Sequence, residues 1–141
     1  MRKLLDTRGL DHIEVGSAGI GAFPDYPAPQ QIVEVAQDRD LGVNGHRSRP
    51  LDGVLLDWAD LVLVMESYMR EEISRMWPGK DMDKVLLLGS CAPEFALIRG
   101  IQDPFGGSLE DFDRCYGEIE ASVKGLFERL VSEKALTEKT F

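Results

Sequence analysis

Leu61-Val62-Leu63-Val64-Met65 is a continuous apolar run of strand length. Such a run is the mark of a strand covered on both faces, as in a parallel sheet. Val85-Leu86-Leu87-Leu88 repeats the pattern and stops at Gly89. Between them, Glu66 to Met76 reads as a helix with Met69, Ile73 and Met76 inward, ended by Pro78-Gly79. The methionine spacing is that of core. Strand, helix and strand in this order predict an α/β protein, a three-layer α/β/α arrangement around a small parallel sheet.

The same periodicities extend outward. Met1 to Arg8 reads as a short helix closed by Gly9. Ile13 and Val15 alternate with Glu14 and predict a short strand, broken by Gly16-Ser17-Ala18-Gly19. Phe23-Pro24-Asp25-Tyr26-Pro27-Ala28-Pro29 is an aromatic, Pro-rich loop. Gln30 to Arg39 follows as a helix with Ile32, Val33 and Ala36 on one face, and Asn44-Gly45 marks a turn. Asp52 caps a short helix to Trp58. Ser108 caps the last helix, with Asp111 three residues on as in a capping box. Phe112, Tyr116, Ile119, Val123, Phe127 and Leu130 then form one apolar stripe. Residues 1–131 read as a single domain and 132–141 as a polar tail.

At 141 residues the chain supports one good core. Its net charge of −9 argues against a nucleic-acid partner, which needs a basic footprint. No apolar run reaches the roughly 18 residues of a membrane span, so no membrane partner is expected. Met1-Arg2-Lys3-Leu4-Leu5-Asp6 does not read as a signal peptide, because charges interrupt it at once. Two cysteines, Cys91 and Cys115, make neither a disulfide framework nor a zinc site. The expected location is the cytoplasm.

Gln102-Asp103-Pro104-Phe105-Gly106-Gly107-Ser108 is the segment that suggests chemistry. An Asp-Pro on a Gly-rich loop before an amphipathic helix reads first as a plain turn, and it also suits a general acid. Arg47 and Arg49 suit an anion, or a solvated structural role. His46 reads as a hydrogen-bonding histidine or as a base.

Taken together and in order, five segments carry a resemblance that covers nearly the whole chain. They are Arg2-Lys3-Leu4-Leu5, Val15-Gly16-Ser17-Ala18-Gly19, Gly45-His46-Arg47-Ser48-Arg49, Ala59 to Met65, and Asp103-Pro104-Phe105-Gly106-Gly107-Ser108. The chain resembles the low-molecular-weight protein tyrosine phosphatases. The Phe-Gly-Gly-Ser form of the last motif is similar to bacterial members, including those acting on phosphoarginine.

The resemblance implies a four-stranded parallel sheet of order 2-1-3-4 whose first strand leads into a Cys-x5-Arg phosphate loop. It also implies hydrolysis of a phosphate monoester through a cysteinyl-phosphate, with no cofactor and no metal. The substrate would be a phosphorylated protein or a small phosphate ester. Asp103 would be the general acid, while Phe105 and Tyr26 would bind substrate at the cleft wall and rim. By this resemblance Met1 falls inside the first helix, so the first strand and phosphate loop, roughly 20 residues, are expected to be absent.

Cys91 is followed by arginine only at Arg99, and Cys115 lies on the last helix, so neither supplies the loop. Two consequences are expected: negligible turnover by these residues alone, and a homodimer formed through the incomplete sheet. Two other readings stay open. One is a non-catalytic interaction or phosphate-sensing module; the other is an arginine phosphatase or arsenate reductase on the same scaffold.

Overall fold

A computed structural model describes residues 1–92 and 100–138, with side chains described up to Ser132. Its elements run α1 (Arg2–Thr7), α2 (Gln30–Gln37), α3 (Gly53–Trp58), β1 (Val62–Val64), α4 (Ser67–Met76), β2 (Val85–Leu87), a 3-10 turn at Leu88–Cys91, and α5 (Leu109–Glu138). The expected α/β class holds: β1 and β2 pair in parallel, with Val62 opposite Val85 and Val64 opposite Leu87. A parallel pair needs a crossover, and α4 is that crossover. The helical backbone of α5 continues through the polar stretch after Ser132.

The main core forms where α3 and α4 meet the inner face of the sheet. Leu56, Val64, Ile73 and Val85 are its buried centre, with Met69, Trp77 and Leu87 packed around them. Asp52 starts α3 as expected, accepting from the Leu55 N–H at 2.8 Å. A second cluster joins Leu5 and Leu10 to Phe127 of α5, with Ile13, Val15 and Val131 against it. On α5 the most buried residues are Phe112, Ser122, Leu126 and Phe127. Ser122 is tolerated there because its hydroxyl donates to the Glu118 carbonyl at 2.8 Å.

Several local expectations need correction. Ile13 and Val15 do alternate in burial with Glu14, but they form no strand. The Ile13 N–H turns back to the Leu10 carbonyl, and Arg2 takes the Val15 carbonyl with Nε at 3.2 Å and with Nη2. A ladder needs a partner strand, and here a guanidinium occupies the acceptor. β1 is less covered than its composition suggests, with only Val64 buried, and Leu86 of β2 is 44% exposed. Met76 is also exposed, because the helix ends there and Trp77 takes the inward position. In α2 the buried pair is Val35 and Ala36.

Candidate active site

The Asp103 loop is seated on the end of β1. The Ile101 N–H donates to the Met65 carbonyl at 2.8 Å, and Gly100 forms an antiparallel bridge to Glu66. Gly100 has φ of +84°, and a Cβ there would lie 2.1 Å from the Met65 oxygen, so only glycine fits this crossing. Ile101, 1% exposed, anchors the loop in the core. Two residues on, Asp103 emerges into solvent. The loop therefore lies beyond the carboxyl end of a parallel strand, where open α/β sheets present their ligand sites.

The loop is shaped by its own hydrogen bonds. Asp103 Oδ1 accepts from the Phe105 N–H at 2.9 Å, an Asx turn that fixes the carboxylate beside the ring. Gly107 N–H reaches the Pro104 carbonyl at 2.8 Å, and Gly106 adopts φ of +80°. The expected capping box then begins α5: Asp111 Oδ2 accepts from the Ser108 N–H at 2.9 Å, and the Asp111 N–H donates to Ser108 Oγ at 3.3 Å. The Ser108 N–H bond, aided by its hydroxyl, holds the Asp111 carboxyl below the usual range. Phe105 is 83% exposed, a projecting ring rather than a packed one.

Two titratable groups feel the Asp103 carboxylate. Burial pushes the Tyr68 phenol up, with Glu66, Glu72 and Asp103 adding to the shift. Burial likewise raises the Cys115 thiol, reinforced by Glu118 and Asp103. A thiol raised in this way is held protonated, the reverse of what a nucleophilic cysteine requires. Cys91 is 2% exposed, and its carbonyl meets Gly125 of α5. Arg99, the arginine that follows it in sequence, lies outside the described residues.

Tyr26 stands on a separate loop. Its N–H donates to Ser48 Oγ at 3.0 Å and its carbonyl accepts from the Ser48 N–H at 2.9 Å. Its ring is 6.2 Å from that of Phe23, and both are exposed. The structure thus brings Asp103 and Phe105 into one turn and sets Tyr26 on a loop zipped to the His46–Arg49 segment. Tyr68 stands in the first turn of α4, the helix that leaves the carboxyl end of β1.

His46, Arg47 and Arg49 gather instead around a cleft of about 770 Å³, whose lining includes Arg2, Ser17 and Trp58 but none of Asp103, Phe105 or Tyr26. Arg49 Nε donates to the Ser17 carbonyl at 3.0 Å, and Arg47 donates to the His46 carbonyl at 2.7 Å. Among the described residues, no group of His, Cys, Asp and Glu is arranged to hold a metal ion, and no helix is long and apolar enough to cross a membrane.

Comparison with known proteins gives these features a context. The family model for low molecular weight phosphotyrosine protein phosphatase matches residues 1–136. A curated relative from Ralstonia nicotianae, named "Probable low molecular weight protein-tyrosine-phosphatase EpsP", is 33% identical over 92% of this chain and 86% of its own length. Among solved structures, the tyrosine phosphatase Wzb from Escherichia coli K30 in complex with sulphate superposes with a TM-score of 0.77 at 35% identity, covering 90% of this chain and 85% of its own. The YwlE arginine phosphatase from Geobacillus stearothermophilus gives 0.82 at 30% identity, over 94% and 83%. An aspartate-bearing loop at the end of a parallel strand, a matching family model over residues 1–136 and these similarities converge: the chain belongs to the low molecular weight phosphotyrosine protein phosphatase family.

Proposed function

We propose that Asp103 is the general acid of a phosphate-monoester hydrolase acting on phosphorylated protein side chains or small phosphate esters. The observation that supports this is the seating of its loop on Met65, which presents an exposed carboxylate beyond the carboxyl end of β1. In such a reaction a cysteine thiolate attacks phosphorus and the bond to the leaving oxygen breaks. The acid gives that oxygen its proton, and water then releases phosphate from sulfur. Phe105 would wall the substrate slot, and Tyr26 would rim it. The expected setting is cytoplasmic.

The 141 residues contain no Cys-x5-Arg segment, since their two cysteines are Cys91 and Cys115. We therefore expect these residues alone to hydrolyse para-nitrophenyl phosphate negligibly. Family-like turnover abolished by Asp103→Asn would overturn that expectation. The acid role has its own test. The strand and Cys-x5-Arg loop of a relative are fused ahead of Met1, and Asp103→Asn is then expected to lower kcat by about 10²-fold or more. An unchanged kcat would remove Asp103 from the mechanism. A fusion that binds phosphoryl compounds without turning them over would favour the interaction-module reading.

Phosphoarginine is a second substrate reading, supported by the arginine phosphatase superposing with the higher TM-score of 0.82. Competition between phosphotyrosine and phosphoarginine in the fused chain decides between them. An arsenate reductase needs accessible redox cysteines, and the burial of Cys91 weighs against it.

A further inference from the structure

We propose that the cleft bounded by Arg2, Arg47, Arg49 and Trp58 is a phosphoryl-binding site in its own right, separate from the Asp103 loop. The first argument is charge. Asp and Glu outnumber Lys and Arg by 25 to 16 in this chain. Yet three guanidiniums line one cleft, and among the described residues none of them pairs with a carboxylate. They are held by neutral acceptors instead: Arg2 by the Val15 carbonyl, Arg49 by that of Ser17, and Arg47 by that of His46. A guanidinium has five N–H donors, so each anchored side chain keeps donors to spare. Clustered like charges repel, and an anion between them relieves that cost.

The second argument is the balance of donors. Three guanidiniums with N–H groups to spare line the cleft, and the complement of such a surface is an oxyanion. Glu14 also lines the cleft, and it sets a limit on how far the site favours negative charge.

The third argument is shape. A Cβ on Gly16 would lie 3.0 Å from Arg49 Nη2 and 3.4 Å from the Trp58 ring. The glycine thus lets an indole and a guanidinium close on the same stretch of backbone. Trp58, 49% exposed, offers a flat apolar wall next to the charge. The volume of about 770 Å³ suits a small phosphorylated molecule.

Calorimetric titration of the 141-residue protein with inorganic phosphate and with free phosphotyrosine tests the site. Binding of either is expected, weakened about tenfold by Arg47→Gln and not by Lys124→Gln, which removes the same charge from α5. Equal loss in both variants would mean general charge attraction and would overturn the proposal. So would no heat from either ligand at about 10 mM. If phosphotyrosine binds more tightly and Trp58→Leu abolishes only that advantage, the phosphoryl group arrives on an aromatic carrier. If the two bind alike, the phosphoryl group alone is the ligand. Thermal melts of each variant guard against unfolding. Turnover does not enter the readout, so failure here is distinguishable from failure of Asp103 as an acid.

Discussion

The Ile101 N–H and the Met65 carbonyl meet at 2.8 Å, and this one bond ties the base of the Asp103 loop to the end of β1. The crossing tolerates no side chain on Gly100. Alanine there combines a φ of +84°, which costs an L-residue about 1–2 kcal/mol, with a Cβ 2.1 Å from the Met65 oxygen. Gly100→Ala is expected to destabilise the fold by on the order of 3 kcal/mol. Urea denaturation measures it, and a loss under about 1 kcal/mol would show that the loop can leave β1 freely.

A second close approach lies under α5. A Cβ on Gly125 would meet the Cys91 carbonyl oxygen at 2.0 Å. Helix propensity alone favours alanine there by about 1 kcal/mol. Steric overlap of backbone against backbone outweighs it, because neither side can rotate away. Gly125→Ala is therefore expected to lower stability by about 2 kcal/mol net, whereas Gly117→Ala, which meets nothing within 4 Å, should raise it. A gain at both positions would mean that α5 shifts easily off the turn at Leu88–Cys91.

These two crossings show what a sequence conveys and what it does not. β1, α4 and β2 were legible because burial writes apolar runs and helical periodicity into the chain. The caps at Asp52 and Ser108 were legible because their chemistry is local. Asp103 was legible as a motif, but its seat was not, since the Ile101–Met65 bond spans 36 residues (101 − 65). Ile13 and Val15 carry a strand's pattern without a ladder, because alternation records burial while pairing depends on a neighbour. Arg2 gave no sign that it would take the Val15 carbonyl. Met76 and Trp77 differ by one position, and only the end of the helix decides which faces inward.

Acidification tests the capping box. The Asp111 carboxyl titrates below its usual value in the folded state, through its bonds from Ser108. A depressed folded pKa means stability that is present above the unfolded pKa and lost as pH falls through the folded one. The melting temperature is expected to drop between about pH 5 and pH 3, and Asp111→Asn should flatten part of that drop. An Asp111→Asn variant with an unaltered pH profile would detach the box from stability.

The two thiols should be poor nucleophiles. Burial and the Glu118 and Asp103 carboxylates raise Cys115 above its ordinary 9.0. Its alkylation by iodoacetamide at pH 7 is expected to run at least about tenfold slower than that of free cysteine, rising only at alkaline pH. Cys91, 2% exposed, should label only on unfolding. Mass spectrometry of the labelled protein separates the two. Rapid labelling of either thiol at neutral pH would reopen it as a reactive group.

The sheet itself carries the last prediction. β1 pairs with β2 along one edge, and in the described sheet its other edge has no ladder. Two strands alone are marginal in water, and an open edge is a template for another chain. Leu63 and Leu86 sit side by side in the register, on the face opposite the buried Val64 and Val85, and Leu86 is 44% exposed. An open edge beside exposed apolar surface favours pairing with a second copy. We therefore expect the 141-residue protein to elute from size exclusion as a concentration-dependent dimer, with a melting temperature that rises with concentration. Leu63→Lys places a charge at the edge and should shift the protein to monomer. A monomer whose melting point is independent of concentration would mean that β1 tolerates its open edge, with core burial behind Val64 and Ile73 sufficient to hold the fold.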